Sequence, residues 1–362
     1  MGALITGWGK CIPPAVLTND AMAKFVDTDN EWIVTRTGIR ERRISHVGMV
    51  QLAAVASERA LAAAGLSADA IDCIIVATAS ADMLVPNAAS RVQLELGNLE
   101  AAALDTNTGC CGFVYALAMA NGFLATGVHE RILVIGAERL TTILDWTLRD
   151  SAILFGDGAG AVVVESGPDD SGVQGSFLAC NPVAGESLMV RDLGMKYAHE
   201  RETQPYQASF DGREVFRNAV PGMVRASHMA MQRAGVDAAD IDLLVPHQAN
   251  LRIIEAVGKK LPISDDKVMT NLQRYGNTSA ASIPLALTEA VEQGRVEPGG
   301  LLLFAAFGAG LTSAASVIRW GERVAPLASS DAQLAACESS ALDLLTPALE
   351  FQRQWHTENG AE

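Results

Sequence analysis

The sequence predicts an α/β fold built from two similar halves, in which apolar strands alternate with helices. The segment ALAAAGLSADAIDCIIVA at 60–77 aligns without gaps with AMQRAGVDAADIDLLVPH at 230–247, an offset of 170 residues. Hydrophobic residues make up 49% of the chain and aromatic residues only 5%, which is typical of a compact α/β protein. An internal repeat of this length indicates duplication of a whole structural unit.

The same offset brings two further pairs of segments into register. Asn-Thr at 107–108 falls on Asn-Thr at 277–278, and ILV at 132–134 falls on LLF at 302–304. Compositional bias in an Ala-rich chain could produce one such match, but three in register favour duplication. Continuous apolar strands between helices predict mostly parallel sheets that are covered on both faces, in the layer order α/β/α/β/α.

The repeat also predicts the domain organisation. We place the first half at residues 1–170 and the second half at 171–320, followed by an extension at 321–362. In the extension, the leucines of SSALDLLTPALEF (339–351) recur at helical spacing and predict a short amphipathic helix. We expect this helix to dock on the body of the protein or on a dimer partner.

Charge and hydropathy exclude several classes of function. The net charge of -15 argues against a nucleic-acid surface, which requires a basic face. The N-terminus has no signal-peptide pattern, and the longest apolar run, 301–311, is too short for a membrane span. We therefore expect a cytoplasmic protein with reduced cysteines. None of the six cysteines forms a C-x-x-C pair, which weakens a metal site as well.

Two adjacent cysteines, Cys110 and Cys111, stand in DTNTGCCGFVYALAMANG (105–122) at the predicted start of a helix. A disulfide, a metal site, core packing and a nucleophile are the four explanations for such a pair. The positive end of the helix dipole and the free N–H groups of the first turn are expected to lower the thiol pKa there. Because adjacent helix residues point about 100° apart, only one of the two can face a cleft.

Two polar residues of the second half stand in comparable positions. His247 follows the apolar strand LLVP directly, and Asn277 is the repeat equivalent of Asn107. A thiol, an imidazole and a carboxamide are therefore all predicted at strand-to-helix turns, where α/β folds bind their ligands.

Six motifs, taken together and in order, resemble β-ketoacyl-ACP synthase III of the thiolase-like superfamily, where ACP is acyl carrier protein. They are EWIVTRTGIRERR (31–43), CCGFVYAL (110–117), FGDGAGAVV (155–163), VPHQANLRII (245–254), YGNTSAAS (275–282) and AFGAG (306–310). The resemblance runs from about residue 2 to residue 320 and implies the duplicated, five-layered thiolase-like fold. The family pattern D-x-x-x-x-C-x-G-F, read from Asp105, makes Cys110 the nucleophile and Cys111 a neighbour that need only be small.

The resemblance implies an acyltransferase that acts by a ping-pong mechanism. Cys110 would take an acyl group from acyl-CoA, and malonyl-ACP would then lose CO₂ and attack the thioester. His247 and Asn277 would hold the oxygen of the enolate, and the backbone N–H groups of Cys110 and Ala309 would hold the acyl oxygen. The implied reaction needs neither a metal nor a cofactor, and a homodimer is expected.

Further positions match family contacts. The residues expected to bind CoA are Trp32, Arg36 and Arg149, and those expected to bind the acidic ACP are Arg217, Arg252, Lys259 and Lys260. For Trp32, the alternative interpretation is an aromatic residue of the core. For the arginines and lysines, the alternative is a solvated surface charge. Arg213 stands where the family usually has Asn, which puts the pantetheine contact in doubt.

The residue before Pro86 bears on the primer. Members that use acetyl-CoA often carry Phe there, whereas this chain has Val85. We expect a deeper acyl pocket beside Cys110 and a medium-chain primer of about eight carbons, since each buried methylene contributes ~0.8 kcal/mol.

Four other functions compete with this one. A degradative thiolase needs a second cysteine in a late Cys-x-Gly motif, but this chain reads FGAGL at 307–311. A specialised acyltransferase of secondary metabolism, an acetyl-CoA-specific housekeeping synthase and a catalytically silent subunit are the others. The presence of Cys110, His247 and Asn277 together argues against the silent subunit.

Overall fold

The structure, a computed structural model, describes residues 2–168, 170–190 and 208–359. Its strands are β1 (Ala3–Cys11), β2 (Ala15–Thr18), β3 (Glu41–Ile44), β4 (Cys73–Ala77), β5 (Ala102–Thr106), β6 (Arg131–Glu138), β7 (Gly158–Ser166), β8 (Gly172–Cys180), β9 (Leu188–Val190), β10 (Ala208–Phe210), β11 (Leu243–Pro246), β12 (Leu301–Gly308) and β13 (Thr312–Arg319). Its α-helices are α1 (Asn19–Met22), α2 (Asn30–Thr37), α3 (Met49–Ala64), α4 (Ala88–Glu95), α5 (Gly112–Ala125), α6 (Arg149–Ala152), α7 (Gly212–Ala234), α8 (Leu251–Lys260), α9 (Leu272–Tyr275), α10 (Ser282–Glu292) and α11 (Ala341–Asn359).

Each half contributes one main sheet. The first has the strand order β1-β7-β6-β4-β5, in which β6, β4 and β5 run parallel and β1 and β7 pair antiparallel. The second has the order β11-β12-β13-β8, in which β11 and β12 are parallel and the other pairs are antiparallel. The prediction of mostly parallel sheets is therefore wrong. A short turn joins β12 directly to β13, and strands joined in this way must run antiparallel.

The five-layer arrangement is confirmed. Helices α3 and α4 cover the outer face of the first sheet, α7 covers the outer face of the second, and α8 packs against α7. Helices α5 and α10 lie between the sheets and contact both of them. One continuous hydrophobic core therefore joins the halves, and it includes Phe113 of α5 and Phe304 of β12.

The two halves repeat in three dimensions as well as in sequence. A 3₁₀ turn at Gly109–Cys111 precedes α5, and a matching turn at Ser279–Ala281 precedes α10, at the same offset of 170 residues. Helices α3 and α7 both end at a glycine, Gly65 and Gly235, each with φ of +69°. Glycine suits these positions because the left-handed conformation strains any residue with a Cβ atom.

The centre of the molecule is assembled by close backbone contact. A Cβ atom placed on Gly136 of β6 would lie 2.2 Å from the carbonyl oxygen of Ala280, in the turn before α10. Only hydrogen fits in this space, so glycine allows the second half to approach the first sheet closely. This contact determines how closely the turn before α10 packs on β6.

The C-terminal extension crosses the first half. Residues 321–340 contain no helix or strand and lead into α11, the last element of the described chain. Among the residues that the structure describes, no helix combines the length and hydropathy required to cross a bilayer.

We predict that Gly136→Ala lowers the free energy of unfolding by about 1–3 kcal/mol, because the methyl group overpacks the contact with Ala280. Gly122→Ala in α5 is the matched control, since no heavy atom lies within 4 Å of its added Cβ. That control should be neutral or stabilising by about 0.5–1 kcal/mol. Urea unfolding monitored by circular dichroism measures both, and equal transition midpoints would show that the contact is not tight.

Candidate active site

A cavity of about 1040 Å³ is lined by residues of both halves. Cys110, His247 and Asn277 all line it, and they are 9%, 4% and 6% exposed. A thiol, an imidazole and a carboxamide from three separate turns therefore line one cavity, and each of these residues is buried.

The two adjacent cysteines point in different directions. Cys110 lies in the 3₁₀ turn between β5 and α5 and faces the cavity. Cys111 is completely buried and belongs to the core that also contains Phe113. The divergence agrees with the angular spacing of neighbouring residues in such a turn. All six cysteines are free thiols.

Burial, rather than its position near a helix terminus, determines the pKa of the Cys110 thiol. Desolvation raises its pKa to about 12, and the nearby carboxyl of Glu138 acts in the same direction. Hydrogen bonds from the Ser279 and Asn277 side chains and from its own backbone N–H lower the pKa but do not offset burial. The prediction of a lowered pKa is therefore wrong for the resting protein, in which Cys110 is a thiol.

His247 is held as a neutral imidazole at the end of β11. Its backbone N–H donates to the Ala305 carbonyl at 2.8 Å, which ties the turn to β12. Its Nδ1 lies 2.6 Å from the hydroxyl of Ser282, and burial lowers its pKa to about 3. When the Ser282 hydroxyl donates to Nδ1, the ring proton lies on Nε2, and the imidazole becomes an uncharged hydrogen-bond donor.

Asn277 is fixed by both its backbone and its side chain. Its backbone N–H donates to Leu154 O at 2.8 Å, and its carbonyl accepts from Gly156 N at 3.0 Å. Its Oδ1 accepts from the backbone N–H of Ser279 at 2.8 Å. Because the oxygen is engaged in this way, the amide Nδ2 is the end of the carboxamide left to donate toward a ligand.

Sequence analysis missed three residues around these groups. They are Ser279, Ser282 and Glu138, and the last is completely buried and accepts a 2.5 Å hydrogen bond from Ser80. Ser279 has φ of +47°, an unfavourable conformation for a residue other than glycine. The internal repeat held a signal for the two serines, since the offset places them opposite Gly109 and Gly112. The first half has glycine at both positions and the second half has serine, which indicates that the serine hydroxyls have a polar role.

Close packing brings two turns together beside Cys110. A Cβ atom on Gly308 would lie 2.6 Å from the Cys110 nitrogen, so glycine allows the two backbones to approach this closely. A Cβ atom on Gly109 would lie 3.0 Å from the nitrogen of Ala309. The N–H groups of Cys110 and Ala309, predicted to act together, therefore belong to adjoining turns.

The residues predicted to hold CoA cluster at one side of the cavity. Trp32 is half-buried in α2, and the guanidinium carbons of Arg36 and Arg149 lie 5.3 and 4.6 Å from its ring centre. Arg149 also donates to the carbonyl of Asp27 at 3.1 Å. Trp32 and Arg36 line the cavity, whereas Arg149 is not part of the lining and packs against the ring of Trp32.

The predicted ACP-binding residues separate into two positions. Arg217 and Arg252 line the cavity, and Arg217 is paired with Glu214 at 2.9 Å. Lys259 and Lys260 are exposed in the last turn of α8, the helix that begins beside Arg252. The structure also places Arg213 on the cavity lining. Basic side chains thus occur both on the cavity lining and at the far end of α8, with the exposed Glu255 between them on that helix.

Val85 does not lie where the sequence predicts. Its side chain is 81% exposed, and it is not among the residues that line the cavity. The expected widening of the pocket beside Cys110 therefore does not arise from Val85 of the same chain. Among the described residues, no group of three or more His, Cys, Asp or Glu side chains is arranged to hold a metal ion.

Comparison with known proteins gives matches over nearly all of the chain. A family model for 3-oxoacyl-[acyl-carrier-protein (ACP)] synthase III matches residues 104–182, and a model for the C terminal of that family matches residues 231–320. The chain is 49% identical to beta-ketoacyl-[acyl-carrier-protein] synthase III 2 of Vibrio cholerae serotype O1 over 98% of this chain and 99% of that protein.

Two further matches separate the body of the protein from its extension. The chain is 46% identical to beta-ketoacyl-[acyl-carrier-protein] synthase III of Caldanaerobacter subterraneus subsp. tengcongensis, over 89% of this chain and 99% of that protein. It matches the crystal structure of 3-oxoacyl-[acyl-carrier-protein] synthase III from Aquifex aeolicus VF5 with a TM-score of 0.83 and 41% identity, over 88% of this chain and 100% of that one. The match to the Vibrio protein therefore continues into the extension.

The neutral state of His247 has a consequence for stability. Its pKa of about 3 lies below the ~6.5 of a histidine in an unfolded chain, so between these values the unfolded state binds more protons. Stability should therefore fall as the pH falls from 7 to 5, by about 2 kcal/mol from this group alone. His247→Gln removes the titration at similar side-chain size. The fall in its free energy of unfolding between pH 7 and pH 5, measured by urea unfolding, should therefore be smaller than that of wild type by that amount. Equal losses would contradict the burial of a neutral imidazole.

Proposed function

The chain belongs to the β-ketoacyl-ACP synthase III family of acyltransferases, and from this premise we propose that it condenses an acyl-CoA primer with malonyl-ACP. The family has the thiolase-like fold and initiates fatty acid synthesis by condensation. One observation carries the proposal for this chain: Cys110, His247 and Asn277 line a single cavity.

In the first half-reaction, the sulfur of Cys110 attacks the thioester carbonyl of acyl-CoA. The bond between the acyl carbon and the CoA sulfur breaks, and the CoA thiolate leaves with the proton of the cysteine thiol. The products are an S-acyl cysteine and free CoA. The N–H groups of Cys110 and Ala309 would hold the oxygen that becomes negative in the tetrahedral intermediate.

In the second half-reaction, malonyl-ACP loses CO₂ and forms an enolate. His247 and Asn277 would donate hydrogen bonds to the enolate oxygen, which is why an uncharged imidazole with its proton on Nε2 suits the role. The enolate carbon attacks the acyl thioester, β-ketoacyl-ACP forms, and Cys110 leaves as a thiolate that is then protonated. The proton that restores the thiol comes from water, and every other step uses groups of the chain and its two substrates.

Residues around the cavity are suited to bind the two proposed substrates, acyl-CoA and malonyl-ACP. Trp32, with Arg36 and Arg149 against its ring, offers a stacking surface and positive charge for the nucleotide of CoA. The basic residues Arg217, Arg252, Lys259 and Lys260 form a local positive surface on a chain of net charge -15, which favours an acidic carrier protein.

The proposed primer is of medium length, about eight carbons. Its support is the apolar part of the cavity lining, which includes Ala219, Met223 and Phe307. Each methylene buried there contributes ~0.8 kcal/mol. Val85 cannot contribute from within the same chain because it is exposed.

We also propose a cytoplasmic homodimer. The reaction requires a reduced Cys110, which a cytosol maintains. The first half exposes several large apolar side chains that a second copy would cover. They are Met83, Leu84, Val85, Leu94 and Leu99.

Intact-protein mass spectrometry tests the first half-reaction. After incubation with octanoyl-CoA, wild type and Cys111→Ala should gain one octanoyl group, whereas Cys110→Ala should gain none. His247→Ala and Asn277→Ala should still be acylated but should lose malonyl-ACP condensation by about 10²-fold or more, because each removes an oxyanion donor. Acylation of Cys110→Ala would exclude this nucleophile. Acylation without any condensation by wild type would favour a specialised acyltransferase.

Competition among acyl-CoAs from C2 to C12 tests the primer. We expect kcat/KM for octanoyl-CoA to exceed that for acetyl-CoA by at least about tenfold, since burial of only two of the extra methylenes suffices for this ratio. A maximum at C2 would keep the mechanism but indicate an acetyl-CoA-specific housekeeping enzyme.

A further inference from the structure

The C-terminal extension lies outside the part of the chain that the family model covers, which ends at residue 320. It is nevertheless attached along its length to the first half. Leu327 N donates to Ala63 O at 3.0 Å, and further along the chain the carbonyls of Ala332 and Ala335 accept from Arg59 and His46 at 2.8 Å. These contacts direct the chain to the place where α11 begins.

Helix α11 begins with a capped turn and packs through one stripe. The hydroxyl of Ser340 accepts from the Asp343 N–H at 3.2 Å, and the Asp343 carboxylate accepts from the Ser340 N–H at 3.0 Å. Ala341, Leu345 and Leu349 are at most 5% exposed. They share a core with residues of the 140–155 segment. The helix predicted from the leucines of the extension therefore docks on its own chain.

Two polar side chains at the end of this stripe hold three consecutive residues, 144–146. Gln352 is 5% exposed, accepts from Trp146 N at 2.8 Å and donates to Leu144 O at 2.7 Å. His356 Nε2 lies 2.7 Å from Oδ2 of Asp145, whose other oxygen accepts from Thr147. The loop between β6 and α6 is thus bonded at each of these residues to α11.

The bonded residues lead directly into the CoA side of the cavity. The carbonyl of Asp145 accepts from Leu148 N at 3.2 Å, and the carbonyl of Leu148 accepts from Ala152 N at 3.0 Å. Arg149 stands between these bonds, at the start of α6, with its guanidinium carbon 4.6 Å from the ring centre of Trp32. Residues 153–155, which follow α6, line the cavity.

We propose that α11 is an intrachain brace for the donor-substrate site, in which Gln352 and His356 act as positioning residues that hold Arg149 over Trp32. The inference rests on the proposed function in taking CoA as the ligand of this side of the cavity. The brace reaches CoA only through the 144–149 segment, so its loss should weaken CoA binding and leave the malonyl-ACP step unchanged.

Point variants in the full-length protein test the brace. Gln352→Leu removes the two hydrogen bonds that Gln352 makes to the loop and keeps the bond from His356. We expect the KM for acyl-CoA and the Kd for CoA, measured calorimetrically, to rise about fivefold or more at unchanged kcat. The KM for malonyl-ACP should stay constant. Gln354→Leu is the matched control, since Gln354 is exposed on the same helix and, among the described residues, its side-chain amide donates to Glu358 of that helix and not to the loop.

A second pair of variants keeps the test valid if Gln352→Leu folds poorly. His356→Leu should weaken CoA binding, whereas His356→Gln should restore it, because a side-chain amide can still donate to Asp145. In the background of Arg149→Ala, Gln352→Leu should add little further loss, because the two changes act on the same contact. Hydrogen exchange of the 144–155 segment should rise in Gln352→Leu and not in Gln354→Leu.

The outcomes separate this inference from the proposed function. Condensation by wild type, with CoA affinity and loop exchange equal in Gln352→Leu and Gln354→Leu, would overturn the brace alone. CoA binding that is weakened by Gln352→Leu, in a protein that does not condense, would overturn the proposed function alone. Absence of CoA binding by wild type would overturn both.

Discussion

The rest of the structure depends on the contact between the turns that precede α5 and α10. These turns meet between the two sheets, where Gly136 and Gly112 leave room for Ala280. Because both helices are packed on two sides, neither turn can move independently of the sheets. Cys110 and Asn277, which are far apart in sequence, are thereby held at one cavity. Duplication explains why the two turns are so alike that they can meet in this way.

Burial then sets the chemistry of the site. Desolvation disfavours the charged form of every group, so the same enclosure raises the pKa of the Cys110 thiol and lowers that of the His247 imidazole. In the resting protein, the Cys110 thiol and the His247 imidazole are therefore both uncharged. Raising the thiol pKa from 9.0 to about 12 disfavours the thiolate by about 4 kcal/mol. In the proposed reaction, the thiolate must therefore be stabilised by the N–H group and side-chain donors around it, which act against desolvation.

The periphery of the site is organised by different means. The centre is held by apolar packing of two sheets, but the proposed CoA side depends on the irregular loop 143–148, which leads into Arg149 at the start of α6. Such a loop has no sheet or helix to satisfy its backbone groups, and side chains of α11 supply hydrogen bonds instead. The support of this side therefore comes from the extension, which lies beyond residue 320, where the family model ends.

The sequence alone determined the duplication, the five layers and the turns that carry Cys110, His247 and Asn277, because these follow from local periodicity and from ordered motifs. It also indicated a helix in the extension. It did not predict the mixed strand directions, the exposure of Val85, the pKa of Cys110 or the parts played by Ser279, Ser282 and Gln352. Those features were decided by tertiary structure, since strand order, desolvation and contacts between distant segments arise only when the two halves and the extension pack against one another.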